Sequence, residues 1–500
     1  MVNSKFDTAI IGSGLGGLIA GALLAKQGAR VAVFEQHDKV GGFASHFKRQ
    51  GYRFEVAVHL IEGPCDLNFK TRVFDHLGLW DLPWLHAPQF FRMHFGSEFI
   101  DVPAKTEAAL DTLMGRFPQE KKGLQTFFDD MRAVSSEFLR FQASKSFFSV
   151  RNPLFAITFP KMAELFSVSL ANYLRSLFQD EKLIWLLMAN IGFYNDDPIR
   201  YPTALYLINQ AFYYEGGALY PAQGSQSLSD HLSRLIEASG GQVFLRHEVQ
   251  GLSSQNDQCH SLQASAQRQN AFSMQPEITF DSLILNCSTS EAQRLLGRST
   301  DQPFVPGPSA STLYLGLQTG FLKDTPFGYF NFVADLESRS SRIGKSPLEM
   351  SLANYGILSP ELSKKPTLDL IFLDQWENWD LSSGDYEMKK TEVIQALLRR
   401  LDLLQPGLSE MVETAELGTP RTIQRFTRNT KGAAYGFNIN TLGIDEALRR
   451  RWIHHRPVDP HLKNVYYASA WSSSHGVTGV TLAGYQAARA ILQEQGLLPF

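Results

Sequence analysis

Residues 9–25, AIIGSGLGGLIAGALLA, run without a single charge, and five of them are glycine. An uncharged run of this length suits either a membrane segment or the turn of a nucleotide-binding fold. A spanning helix needs about 20 mostly apolar residues, and a secretory signal needs a cationic start and a small-residue cleavage site. Here one Lys5 is answered by one Asp7, and each glycine inside a helix costs roughly 1 kcal/mol relative to alanine. A membrane helix leaves Gly12, Gly14, Gly16 and Gly17 unexplained.

The flanking residues explain them. FDTAII at 6–11 predicts a strand buried on both faces, and the turn Gly12-Ser13-Gly14-Leu15-Gly16-Gly17 follows it. An alanine- and leucine-rich helix then runs to Lys26. Gly28 stands where a helix end favours a left-handed residue. RVAVF at 30–34 is a second strand with Glu35 at its end. Strand, glycine turn, helix, strand and acid within about 30 residues form a dinucleotide-binding unit. Gly12 permits the tight turn, Gly14 the approach of a pyrophosphate, and Gly17 the helix–strand contact. The helix N-terminus offers its free N–H groups to phosphate. Glu35 accepts from ribose hydroxyls and repels a 2′-phosphate, which leaves FAD or NAD as the ligand.

Gly41-Gly42, about six residues past the acid in QHDKVGGFASHF, brings further backbone amides toward the pyrophosphate. This opening resembles the flavoprotein amine oxidase and phytoene desaturase superfamily, and the resemblance implies FAD.

Composition narrows the partners. A net charge of −3 gives no reason to expect nucleic acid. Cys65, Cys259 and Cys287 include no CxxC, which argues against a disulfide-reductase flavoprotein. Only one GxGxxG is present, so electrons are expected to pass to or from a diffusing nicotinamide, a quinone, oxygen or a redox protein. The expected location is cytoplasmic or peripheral to a membrane.

Along the chain, nucleotide-domain character returns at 216–250, with a strand expected over Val243–Val249. A strand pair is expected at 261–266 and 277–280, then a strand from Ser282 to Leu285. NVYYASAW and HGVTGVTLAGYQAARAIL close the chain as strand and helix. The expected fold is α/β, a Rossmann-type FAD-binding domain made of 1–75, 215–290 and 455–500. It is interleaved with a mixed α+β substrate domain made of 76–214 and 291–454.

Four further segments carry a more specific likeness: FEVAVHLIEG, YEGGALYPAQGSQSLSDHL, LGTPRTIQRFTRNTKGAAYGF and SAWSSSHGVTGVTLAGYQAA. They resemble the family of phytoene desaturases, carotenoid isomerases and all-trans-retinol 13,14-reductases (retinol saturases). The resemblance implies that Gly12, Gly14, Gly17, Glu35, Gly42 and Val249 touch FAD, Val249 through its backbone at the adenine. Gly479 and Val480 are expected near the isoalloxazine. Ser13, Gly16 and Gly41 complete the cofactor set. Ala57, Leu60, Gln223, Ser469 and Ser473–His475 depart from the family pattern, so contacts at the flavin are expected to differ. The implied reaction is redox or isomerisation at C=C bonds of a carotenoid- or retinoid-like polyene, with saturation favoured. Flavin amine oxidation, and isoprenoid escort without catalysis as in the Rab escort and GDP-dissociation-inhibitor proteins, are the alternatives.

For catalysis, His59 beside the flavin loop is expected to titrate near neutrality and donate a proton. Tyr435 in GAAYGF has a similar claim. Cys65, after a proline, reads as a structural thiol, and His475 as polar lining. His454-His455 and the scattered acids lack metal-ligand spacing, so no metal is expected. Finally, 161–178 (KMAELFSVSLANYLRSLF) places Met162, Leu165, Phe166, Leu170, Tyr173, Leu174, Leu177 and Phe178 on one helical face. That face is expected to pack on the protein's own core. Its alternative is to dip into a membrane, where a polyene costs on the order of 10 kcal/mol to extract into water.

Overall fold

The computed structural model describes residues 5–143, 153–195, 197–268, 271–299, 306–334, 349–437, 457–472 and 475–497. His454, His455, Ser473 and Ser474 lie outside the described residues.

The first sheet grows from the expected unit. Lys5–Ile11 pairs in parallel with Val31–Phe34 and with Ile278–Leu285, and Gln242–Phe244 and Val465–Tyr467 extend the parallel order. These short apolar strands are buried on both faces, which is why they read as continuous runs rather than alternations. Ile10, Val31 and Val33 face three helices, Leu15–Lys26, Gln226–Ala238 and Gly476–Glu494. Ala9, Ile11 and Phe34 pack in a second cluster with Val249, Leu262 and Phe280. The helix Leu15–Lys26 is buried from Leu15 to Ala25. Its lack of charge therefore reflects enclosure on every side, not lipid. Among the described residues, no helix is long and apolar enough to cross a membrane.

Two strand expectations need correction. Val243–Val249 is not one strand: Arg246 takes φ 58, and the chain breaks into Gln242–Phe244 and His247–Gln255, which pair with different neighbours. The segments at 277–280 and 282–285 form the single strand Ile278–Leu285, which meets Gln258–Arg268 only at Ser261–Thr279 and Leu262–Ile278.

A second sheet of seven strands has the order Val412–Gly418, Ser309–Leu317, Thr367–Asp374, Glu349–Asn354, Phe330–Ala334, Phe91–Phe95, Glu98–Val102. A Phe- and Tyr-rich core joins it to the helices Lys121–Ala143 and Thr203–Gly216. Residues 161–178 enter that core as two helices, Pro160–Phe166 and Leu170–Leu177. Ser167–Ser169 interrupt them, and the backbone of Val168 and Leu170 bonds instead to Thr203 and Tyr201. Met162, Leu165, Phe166, Leu170, Tyr173, Leu174 and Phe178 are buried, so this face packs on the protein itself and is not a membrane surface.

Candidate cofactor and substrate site

One cavity of about 1570 Å³ runs from the glycine turn to the second sheet. A single drug-sized ligand uses about 300–1,000 Å³, so this space has room for more than one such ligand.

Its first arm is built from backbone. Gly12 has φ +95, and a Cβ there would stand 2.5 Å from the Asn286 carbonyl oxygen. Asn286 ends the strand Ile278–Leu285, and its Nδ2 donates to the carbonyls of Gly12 (3.0 Å) and Gly14 (3.1 Å). It fixes the turn, a role that the sequence pattern does not reveal. Its only signal there was a polar residue closing an apolar strand. The Gly41 N–H donates to the Ser13 carbonyl at 2.9 Å, and a Cβ on Gly42 would lie 3.4 Å from the Gly14 Cα. The two glycine pairs therefore face each other, leaving room for a pyrophosphate between main chains.

Glu35 is buried at the end of its strand. Its Oε2 accepts from the Ser13 N–H (3.0 Å) and Oγ (2.6 Å), and its Oε1 from the His37 N–H (3.0 Å). A carboxylate has about four acceptor positions, so one remains for a ribose hydroxyl. Gly12, Gly14, Gly16, Glu35, Gly41, Gly42, Val249 and Val480 line the cavity. Ser13, Gly17 and Gly479 stand behind it. Ser13 turns to Glu35, Gly17 packs against the Gly12 carbonyl, and Gly479 is buried in the last helix. That helix opens its N-terminus onto the cavity at Gly476, Val477 and Thr478. These residues fit FAD. Glu35→Ala should weaken FAD binding about ten- to hundredfold, the worth of charge-assisted hydrogen bonds of about 1.5–3 kcal/mol, as read by flavin-fluorescence titration.

The second arm starts at His59. Burial pushes its pKa down to about 3, which corrects the expectation of a near-neutral group: at pH 7 the ring is uncharged. Its Nδ1 lies 2.5 Å from the Tyr355 hydroxyl, and the Tyr329 hydroxyl donates to its carbonyl. Tyr435 lines the same arm, but its hydroxyl donates to the Gly192 carbonyl at 2.9 Å. Burial pushes that phenol up to about 12. His475 stands against the Tyr435 ring, centroids 5.1 Å apart. Burial raises the Cys65 thiol, consistent with a structural role. Of the departures from the family pattern, Ala57, Leu60 and Ser469 line the cavity, while the Gln223 carbonyl accepts from Arg53 at 3.2 Å. Among the described residues no cluster of three His, Cys, Asp or Glu could hold a metal ion.

Buried acids and His59 give the fold a pH signature. The folded pKa of His59 lies below its unfolded value near 6.5, so stability is lost as pH falls from 6.5 toward 3. Burial raises Glu55 and Asp369, so their contribution is present below the unfolded carboxyl values and lost as pH rises through the folded ones. Each such carboxyl changes stability by up to about 1.4 kcal/mol per pH unit between its unfolded and its folded value. Asp369→Asn should flatten the fall of the urea midpoint as pH rises above the ordinary carboxyl range. An unchanged slope would show Asp369 to be ionised in the fold.

Comparison with known proteins agrees with this geometry. A family model described as flavin containing amine oxidoreductase matches residues 15–492. The chain is 25% identical to prolycopene isomerase of Arabidopsis thaliana over 489 residues, covering 88% of this chain and 78% of that protein. It is 25% identical to all-trans-retinol 13,14-reductase of Danio rerio over 479 residues, covering 87% and 78%. In structure it is similar to cyclohexylamine oxidase from Brevibacterium oxydans, with a TM-score of 0.60, 15% identity, and coverage of 98% and 99%. With its glycine cradle, ribose acid and α/β sheet in place, the chain belongs to the flavin-containing amine oxidoreductases and is an FAD-dependent oxidoreductase of that family.

Proposed function

We propose that the protein acts on C=C bonds of a carotenoid- or retinoid-like polyene, with saturation favoured over desaturation or cis–trans isomerisation. The observation that carries this reading is the second arm of the cavity. Phe193, Tyr194, Tyr213, Phe330 and Phe332 line it, with ring centroids 5.3 Å apart for Phe193–Phe330 and 5.8 Å for Phe193–Phe332. Such a channel suits a long conjugated chain, which buries apolar area at about 25 cal/mol per Å² and presents a π-face to each ring.

Amine oxidation is less well served. An ammonium substrate is best held by a free carboxylate, since aromatic faces alone add only about 0.5–2 kcal/mol. Of the acids lining the cavity, Glu62, close to His59 in the chain, is engaged by Asn68 Nδ2 at 3.3 Å and by the Thr478 hydroxyl. It is also faced by the fully buried Lys70 at 3.9 Å. An isoprenoid escort role sits poorly with a cofactor cradle this complete. FAD, when bound, supplies the two electrons and the hydride equivalent. The chain's own residues hold the polyene beside it, exclude water and bring a proton through His59. A nicotinamide, quinone, oxygen or redox protein closes the electron balance.

A membrane surface remains part of the proposal, at a different place. Leu154 and Ile157 are exposed on the helix Pro153–Thr158, Ile157 to 75%. Leu154→Glu with Ile157→Glu should release the protein from liposomes in flotation without unfolding it. Leu170→Glu, by contrast, should unfold it, because an unpaired charge would enter the core. Flotation unchanged by the 154/157 pair would reject this surface.

The reaction is tested anaerobically. Reduced enzyme is mixed separately with retinol, a ζ-carotene-type polyene and a polyamine while the flavin band is followed. Reoxidation by a polyene, with a product two mass units heavier, supports saturation. Bleaching of oxidised enzyme by polyene means desaturation, and geometric change at constant mass means isomerisation. Bleaching by amines alone refutes the polyene reading.

A further inference from the structure

Asp369 is an anomaly. It lies in the strand Thr367–Asp374 between Leu368 and Leu370, directly across from Tyr314 and Ala353 of the neighbouring strands. It is 0% exposed, and neither carboxyl oxygen is held in a well-formed hydrogen bond, although the Tyr355 hydroxyl stands near enough to favour the ionised form. A leucine would pack there, and an unpaired buried carboxylate costs far more than any such site gains from polarity. Perturbed, unpaired acids of this kind concentrate where a protein uses the proton. One ionisable neighbour is informative: His59 Nδ1, at 4.0 Å, belongs to a residue that lines the cavity. Tyr355 completes the set, with its hydroxyl 2.5 Å from the same nitrogen.

We propose that Asp369 is a proton store that refills His59 through the Tyr355 hydroxyl, while His59 hands its own proton into the cavity. The inference rests on the polyene reading above and gives it the means to replace the one proton that a neutral His59 can donate. The surroundings agree on which partner is neutral. Burial is the largest influence holding Asp369 protonated, the Glu55 carboxyl adds to it, and only the Tyr355 hydroxyl works the other way. Tyr314, Tyr329 and Tyr220 are also raised by burial and stay protonated. Glu55 itself is held by the Tyr220 hydroxyl, the Ser225 N–H and the Ser225 hydroxyl, so it is not the mobile group. Among the described residues no cation acts on His59 or Asp369, and Arg53 acts on Glu55 instead.

The step moves one proton and no electrons. The His59 Nε2–H bond breaks as a C–H bond forms at the substrate carbon, and the tyrosine O–H proton passes to Nδ1. The Asp369 proton replaces it on Tyr355, leaving a carboxylate. The other hydrogen, with its electron pair, comes from the reduced flavin. Asp369 touches no substrate and acts through His59 as a positioning residue. A relay of this length also lets the cavity stay dry, since no water is needed to bring the proton.

The experiment has one arm without substrate and one with it. Infrared spectra of the holoenzyme at neutral pH should show carboxylic-acid C=O absorption that shifts in D₂O. A component of it should be lost in Asp369→Asn and kept in Glu55→Gln and Tyr355→Phe. Isotope-labelled aspartate in the wild type makes the same assignment if Asp369→Asn does not fold. In the second arm, photoreduced enzyme is mixed with retinol. Asp369→Asn and Tyr355→Phe should each slow reoxidation about hundredfold at unchanged flavin content. The wild-type rate should fall at alkaline pH as the store empties, and Asp369→Asn should lose that limb. Absence of a neutral-pH aspartic-acid band overturns the store. So does a variant with the wild-type rate and pH profile. If no polyene reoxidises even the wild type, the polyene reading fails, and the infrared band alone decides the store.

Discussion

Gly16→Val protein should fail to accumulate as a soluble yellow holoprotein. A Cβ at Gly16 would lie 1.9 Å from the Ala468 carbonyl oxygen, which is backbone and cannot rotate away. On its other side the Gly16 carbonyl is where a Cβ on Gly484 would arrive, at 2.4 Å. The residue is clamped between the segment after Val465–Tyr467 and the helix Gly476–Glu494. The cost should exceed the roughly 1–3 kcal/mol of ordinary overpacking, against a total margin of about 5–15 kcal/mol. Gly28→Ala is the contrasting case. Its φ is +88 but its Cβ would meet nothing within 4 Å, so the expected loss is about 1 kcal/mol of backbone strain. Soluble yield, flavin absorbance and thermal midpoint measure the difference. A flavin-loaded Gly16→Val protein with an unchanged midpoint would refute the clamp.

His59→Phe carries the second large effect. The ring volume is kept and the proton path removed, so FAD content should hold while polyene-dependent reoxidation of the flavin falls about 10²- to 10⁴-fold, the range of a lost acid. Tyr435→Phe should cost less than about tenfold, because that hydroxyl is committed to the Gly192 carbonyl. Stopped-flow traces of the two variants under nitrogen separate the claims. Equal and small losses would remove His59 from the chemistry.

The contrast between these residues shows how much of the site could be read in one dimension. Gly12, Gly14, Gly17 and Glu35 were legible because strand, turn, helix and acid follow each other without interruption, so local rules fix their geometry. Gly16 was legible as part of the turn but not for its clamp, since Ala468 is far along the chain. His59 was found as a candidate, yet its state was misread. The sequence shows an imidazole with an ordinary pKa, and only enclosure by Tyr355, Tyr329 and the second sheet desolvates it. Residues 161–178 show the reverse error. A regular apolar period promised one amphipathic face, and the backbone of Tyr201 and Thr203 divided it into two buried helices.

What the sequence by itself determined is therefore the dinucleotide unit, with its FAD-type acid and second glycine pair. Each is specified by neighbours within a few turns of chain. The tertiary structure alone decided what stands against that unit. Asn286 crosses 274 positions to hold the Gly12 carbonyl. Phe91–Phe95 pairs with Phe330–Ala334 to wall the apolar arm, and Asp369 arrives behind His59 from a strand of the second sheet. Such meetings follow from which faces bury together, and hydrophobic burial is non-directional, so the pattern of one segment does not encode its distant partner.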